Sequence, residues 1–190
     1  MRQTTITRTT KETDIELSLC LEGGEININT GVGFFDHMLT AFAAHAGYGL
    51  KVKCRGDIEV DCHHTVEDIG IVLGNALFEV LGDKSNLVRY GSFFVPMDEA
   101  LGFCAVDICN RAYTVFEADF PQEKCGDFDV CMCVEFFRAV ADNAKITLHL
   151  RAPYGDNSHH IAEAIFKAFG HAMSIATTRT DKTLSTKGTL

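Results

Sequence analysis

The sequence predicts an α+β protein of two βββαβα halves, each an antiparallel-dominated sheet with helices on one face, and three observations carry the prediction. The chain repeats itself. At an offset of 96, HHTVEDIGIVLGNAL (63–77) and HHIAEAIFKAFGHAM (159–173) match at His63/His159, His64/His160, Glu67/Glu163, Ile69/Ile165, Gly74/Gly170 and Ala76/Ala172. The segments before the two copies pass through strand and helix periodicities in the same order. Finally, 190 residues, 46% of them apolar, suffice to bury a sizeable core.

In the first half, QTTITR, DIELSLC and EININ alternate apolar and polar residues as half-buried strands do. FFDHMLTAFAAHA (34–46) has helical spacing, LKVKCRG reads as a strand, and His63 to about Leu81 as an amphipathic helix. In the second half SFFVPMD, GFCAVDICN and AYTVFEADF read as strands and FDVCMCVEFFRAVADNA as a helix. The strand KITLHLRA and a helix from His159 to about Thr177 complete it. Polar turns mark the joints, among them LEGGE, GDKSN and APYGDNS, and the last offers Asp156, Asn157 or Ser158 as a helix N-cap. The halves divide near Asp83 to Gly91, giving units 1–90 and 91–190 that pack as one domain, with an irregular tail TDKTLSTKGTL.

Composition narrows the function. A net charge of -9 disfavours a nucleic-acid backbone as partner, and with no apolar run of membrane-spanning length a cytoplasmic protein is expected. The eight cysteines form no CxxC pair and no zinc-ribbon spacing, so they read as reduced thiols used as small core side chains.

The paired histidines carry the chemistry. Helix positions four apart share a face, so His63 with Glu67, and His159 with Glu163, can each chelate one ion, whereas His64 and His160 point about 100° away. Pseudo-symmetry suggests a swap: one ion takes His63, Glu67 and His160, the other His159, Glu163 and His64, within a molecule or across a subunit contact. This sulfur-free set of imidazoles and carboxylates suits manganese, iron or zinc, with open positions for substrate. His37 and His45 lie eight apart on one helix, and geometry alone reads His37 as a core histidine beside Asp36. Glu135 stands where the second half would carry a third imidazole. His149 and His171 read as structural histidines. A dinuclear hydrolase, which favours aspartate-rich sites, and a metal-storage cage are the competing readings.

TKETD, GVGFFDHML, DCHHTVEDIG, DNSHHIAEAIFKAF and STKG, in this order, resemble imidazoleglycerol-phosphate dehydratase over essentially the whole chain. The resemblance implies a ribosomal protein S5 domain 2-like fold in each half. It also implies a lyase of histidine biosynthesis that dehydrates D-erythro-imidazole glycerol phosphate to imidazole acetol phosphate, using two Mn2+ per active site to bind the substrate's imidazole or imidazolate. A 24-subunit homo-oligomer with active sites between subunits is implied as well. By motif, one manganese takes His37, His64, His159 and Glu163, and the other His63, Glu67, His160 and position 135. Many members carry histidine at that position, and this chain carries Glu135. Glu12 is implied as the acid/base that moves a carbon-bound proton and His45 as a substrate contact, with Glu67 and Glu163 also in the catalytic set. His37, His63 and His159 adjoin the substrate, and Arg89, Arg111, Lys167, Ser185, Thr186 and Lys187 hold its phosphate end.

Overall fold

Alternation along the first strands decides which face is buried. In β2 (Thr13–Cys20) Ile15, Leu17 and Leu19 point inward, and in β4 (Gly49–Gly56) Leu50, Val52 and Cys54 do, while the residues between them face outward. The protein, described here by a computed structural model over residues 1–181, sets these strands beside β1 (Gln3–Thr9) and β3 (Ile26–Asn29) in a sheet of order β1-β2-β4-β3. Helix α1 (Gly33–Ala46) carries the chain from β3 to the parallel β4, and α2 (His63–Leu81) follows.

The second half repeats the plan. Strands β5 (Tyr90–Met97), β6 (Ala100–Asp107), β7 (Tyr113–Ala118) and β10 (Thr147–Tyr154) pair in the order β5-β6-β10-β7, with β7 parallel to β10. The helices are α3 (Met132–Ala144) and α4 (Ser158–Ala176). The duplicated βββαβα order is therefore present, with one departure. The expected helix over 128–144 begins only at Met132, because residues before it fold into a small hairpin of β8 (Lys124–Cys125) and β9 (Phe128–Asp129). Phe128 of that hairpin is fully buried and stacks on Phe35.

The helices of both halves form one layer, paired across the duplication: α2 packs on α3, and α1 on α4. Their aromatic side chains fill the centre, with Phe42 stacked on Phe169 at 4.8 Å and Phe136 on Phe166 at 5.3 Å. The matched glycines are the points of closest approach. A Cβ on Gly170 would sit 2.6 Å from the Phe42 carbonyl oxygen, and one on Gly74 would sit 2.7 Å from that of Val140. Both obstacles are backbone and cannot swing away, so Gly170→Ala is expected to lower stability by about 1–3 kcal/mol, read as a fall in Tm of the metal-free protein. An unchanged melt would show that the two helices have slack at this crossing.

The eight cysteines are all free, five of them buried. Among the described residues no helix is long and apolar enough to cross a membrane.

Candidate active site

Helices α1 and α4 run in the same direction: contacts of His37 with His159 and Glu163 are followed by Phe42 and Ala46 against Gly170, then by His45 against His171. Their first turns therefore meet at one end of the helix layer. The α4 end is fixed from outside. Asn157 Oδ1 accepts the His159 N–H at 2.9 Å, an N-cap that contributes about 1 kcal/mol. The buried Ser158 is locked to Gln122, donating its hydroxyl to the Gln122 carbonyl at 2.8 Å and its N–H to Oε1 at 2.7 Å.

At this end His37 Nε2 lies 3.2 Å and His159 Nε2 3.1 Å from the same oxygen, Glu163 Oε2. Among the described residues these three form the group whose potential ligand atoms all lie within 4.8 Å of one another. Lys167 Nζ holds the other oxygen of Glu163 at 2.8 Å. Burial opposes ionisation of Glu163, but the bonds from Lys167 and His37 outweigh it and keep its carboxyl below the ordinary range. His37, which spacing alone assigns to the core, has a side chain 48% exposed and faces the cluster.

The α2 end carries the matching pair, with His63 Nε2 3.6 Å from Glu67 Oε2. Asp61, which caps the turn by accepting the His63 N–H at 2.7 Å, and the buried Asp68 both have structural partners. Asp68 receives the Thr13 hydroxyl and an ion pair from Arg8 at 2.9 Å, tying the β1–β2 turn to α2. The aspartates flanking the motif are thus engaged in holding it.

His64 and His160 do not join these groups within the chain. His64 Nδ1 lies 2.9 Å from Asp57 Oδ2, with its Nε2 3.8 Å from Glu12. His160 Nδ1 lies 2.8 Å from Glu99 Oε2, with its Nε2 3.7 Å from Asp98. Asp57 raises the His64 pKa, Glu99 raises that of His160, and the His160 bond holds Glu99 down to about 2.

Glu135 forms an ion pair with Arg138 at 3.1 Å on the exposed side of α3. The pseudo-symmetry fixes its counterpart. Gly170 faces Phe42 O, His45 Cβ and Ala46 N, and Gly74 faces Val140 O, Asn143 Cβ and Ala144 N. Each pair differs by 98 positions, and the same step carries His37 onto Glu135.

The remaining candidates divide. His45 Nδ1 contacts His171 Nε2 at 2.9 Å, and Phe93 stacks on His171 at 4.2 Å, so His171, read from sequence as structural, packs directly against a candidate substrate contact. Burial, with His171 adding to it, lowers the His45 pKa and favours the neutral ring. Arg89 makes a forked pair with Asp107, at 2.7 and 3.2 Å, while Arg111 is exposed. Ser185, Thr186 and Lys187 lie outside the described residues. Sequence reasoning missed Asp57, Glu99 and the His45–His171 contact. The first two carried no motif, although their places in turns next to paired strands were visible.

Comparison with known proteins gives a consistent result. The sequence profile of the family described as imidazoleglycerol-phosphate dehydratase matches residues 30–173. The imidazoleglycerol-phosphate dehydratase of Acetivibrio thermocellus is 55% identical over 193 aligned positions, covering 100% of this chain and 99% of that protein. The crystal structure of the Staphylococcus aureus enzyme of that name superposes with a TM-score of 0.86 at 45% identity, covering 94% of this chain and 99% of the other. The Pyrococcus furiosus structure does so with a TM-score of 0.86 at 39% identity, covering 97% and 100%.

Proposed function

Because the chain belongs to the imidazoleglycerol-phosphate dehydratase family, it is a hydro-lyase of histidine biosynthesis, and we propose that it dehydrates D-erythro-imidazole glycerol phosphate at a dimanganese centre shared between subunits. The observation that carries the metal reading is the convergence of His37, His159 and Glu163. Two imidazole nitrogens aimed at one carboxylate oxygen are a ready-made N/O set for a divalent ion. No thiol stands in the group, which favours manganese over a metal that selects sulfur.

The second ion draws on His63, Glu67 and Glu135. Glu135 is supported by its equivalence to His37 and by the parallel packing of α2 on α3, which brings the first turns of those helices to the same end. A carboxylate there makes this site one charge more negative than the histidine of many relatives. The fourth ligand of each ion is His64 or His160. Since the Nδ1 of each is engaged by a carboxylate of its own half, a second copy supplies it; the family resemblance, not this geometry, makes that assembly a homo-oligomer of 24 subunits and its setting cytoplasmic.

Manganese bound here supplies positive charge that holds the substrate's imidazole and favours its deprotonated form. The protein's own groups do the rest. Glu12, at the tip of the β1–β2 turn, takes the carbon-bound proton as the hydroxyl leaves, and the resulting enol becomes the ketone of imidazole acetol phosphate. His45, packed against His171, contacts substrate as a hydrogen-bonding ring. Lys167, Arg89, Arg111, Ser185, Thr186 and Lys187 supply the cations and donors that a phosphate needs.

The deciding assay incubates manganese-loaded protein with imidazole glycerol phosphate and follows formation of the acetol. Release of inorganic phosphate instead would show a hydrolase. Chelation with EDTA is expected to shrink the assembly in light scattering, because the ligands of each ion come from two copies. An unchanged size would contradict metal-bridged subunits.

A further inference from the structure

The two halves place one carboxylate each at the same point of their first hairpin. Leu17 of β2 pairs with Val52 of β4, and Cys104 of β6 pairs with Leu150 of β10. Val52 and Leu150 are themselves equivalent, each five residues beyond the left-handed cap of the preceding helix, Gly47 and Lys145. Leu17 thus corresponds to Cys104, and the same step carries Glu12 onto Glu99.

The two equivalents are used differently. Glu99 Oε2 is 2.8 Å from His160 Nδ1, and its Oε1 accepts the backbone N–H groups of Asp156 at 3.1 Å and Asn157 at 2.9 Å. Glu12 sits 3.8 Å from His64 Nε2 with its side chain 53% exposed. In the first half the position against Nδ1 belongs to Asp57, whose two oxygens lie 2.9 and 3.2 Å from His64 Nδ1. A carboxylate can only accept, so in both rings Nδ1 is the donor, and in the neutral ring, the form that binds a metal, this leaves the lone pair on Nε2.

We propose that Asp57 and Glu99 are positioning residues for His64 and His160, each fixing the ring and tautomer that offers Nε2 to manganese. Because Asp57 performs this task in the first half, Glu12 is left free for proton transfer, whereas its counterpart Glu99 is committed to His160. One duplicated position has thereby become a catalytic residue in one half and a ligand orienter in the other. The proposal rests on the dimanganese reading above.

The test is a manganese titration of the metal-free protein followed by electron paramagnetic resonance, which counts bound ions and their affinities without needing turnover. Glu99→Ala and Asp57→Ala are each expected to weaken one of the two ions per subunit by about 10- to 100-fold and leave the other unchanged. Glu99→Gln keeps an oxygen that can accept from Nδ1 and should recover most of the lost affinity. Both alanine variants binding two ions with wild-type affinity would overturn the proposal. If Glu99→Ala fails to fold for want of its bonds to Asp156 and Asn157, Asp57→Ala carries the test alone, since both of its carboxylate oxygens are turned to His64 Nδ1 and its bonds to Glu12 and Val60 are made by the backbone. Glu163→Gln in the same titration separates the two levels of argument. If it loses an ion while the alanine variants keep theirs, only the orienting role falls; if it too keeps both ions, the dimanganese reading falls.

Discussion

Glu163→Gln is expected to release one manganese per subunit and abolish turnover together. The carboxylate is 6% exposed, and one of its oxygens is shared by His37 and His159 while the other is held by Lys167. Replacing it with a neutral amide removes the single negative charge of the group and leaves the Lys167 ammonium without its counter-ion. A divalent ion would then meet two imidazoles beside a cation. Changes to groups that merely orient a ligand cost about 10- to 100-fold in metal affinity, and loss of an anionic ligand should cost more. Metal content per subunit and turnover measured on the same preparation read both effects. Full occupancy in the variant would remove Glu163 from the ligand set. Glu67→Gln should do the same to the other ion, and its more exposed side chain makes the fold less sensitive to the change.

The duplicated helices were legible because side-chain type and spacing carry them directly. His63/Glu67 and His159/Glu163 are four residues apart, and a helix has to put such pairs on one face. The matched Gly74 and Gly170 were visible as a repeat, although their reason, backbone against backbone at two helix crossings, needed coordinates. His37 was harder. Its local setting beside Asp36 is that of a core histidine, and Asp36 does bond locally, accepting the Thr30 N–H and hydroxyl. Its approach to Glu163 depends on which helix of the other half packs on α1, and no local pattern encodes that choice. Glu99 meets His160 across 61 positions, and Asp57 meets His64 from a loop without periodicity. The β8–β9 hairpin escaped for a simpler reason: two-residue strands are too short to display alternation, and the apolar residues beside them continued the helical pattern of α3.

Glu12→Gln is expected to lower kcat by about 100- to 10,000-fold, the range that a positioned acid/base contributes, while manganese content and assembly stay as they are. The turn that carries Glu12 is fixed on both sides: its N–H donates to the Thr10 hydroxyl at 3.1 Å, and its carbonyl accepts the Asp57 N–H at 3.0 Å. Behind it, Thr13 is bound to the buried Asp68. The side chain itself is exposed, so an isosteric amide should change stability by no more than about 0.5 kcal/mol. What the amide cannot do is accept a proton from carbon. Near-normal turnover with full metal would remove Glu12 from the chemistry, and loss of metal would reassign it to the ligand shell of His64. Glu99→Gln provides the internal control, because it makes the same chemical change at the equivalent point of the other half. If duplication left only one of the two hairpin carboxylates free to move protons, only the Glu12 variant should lose kcat while retaining both ions at wild-type affinity.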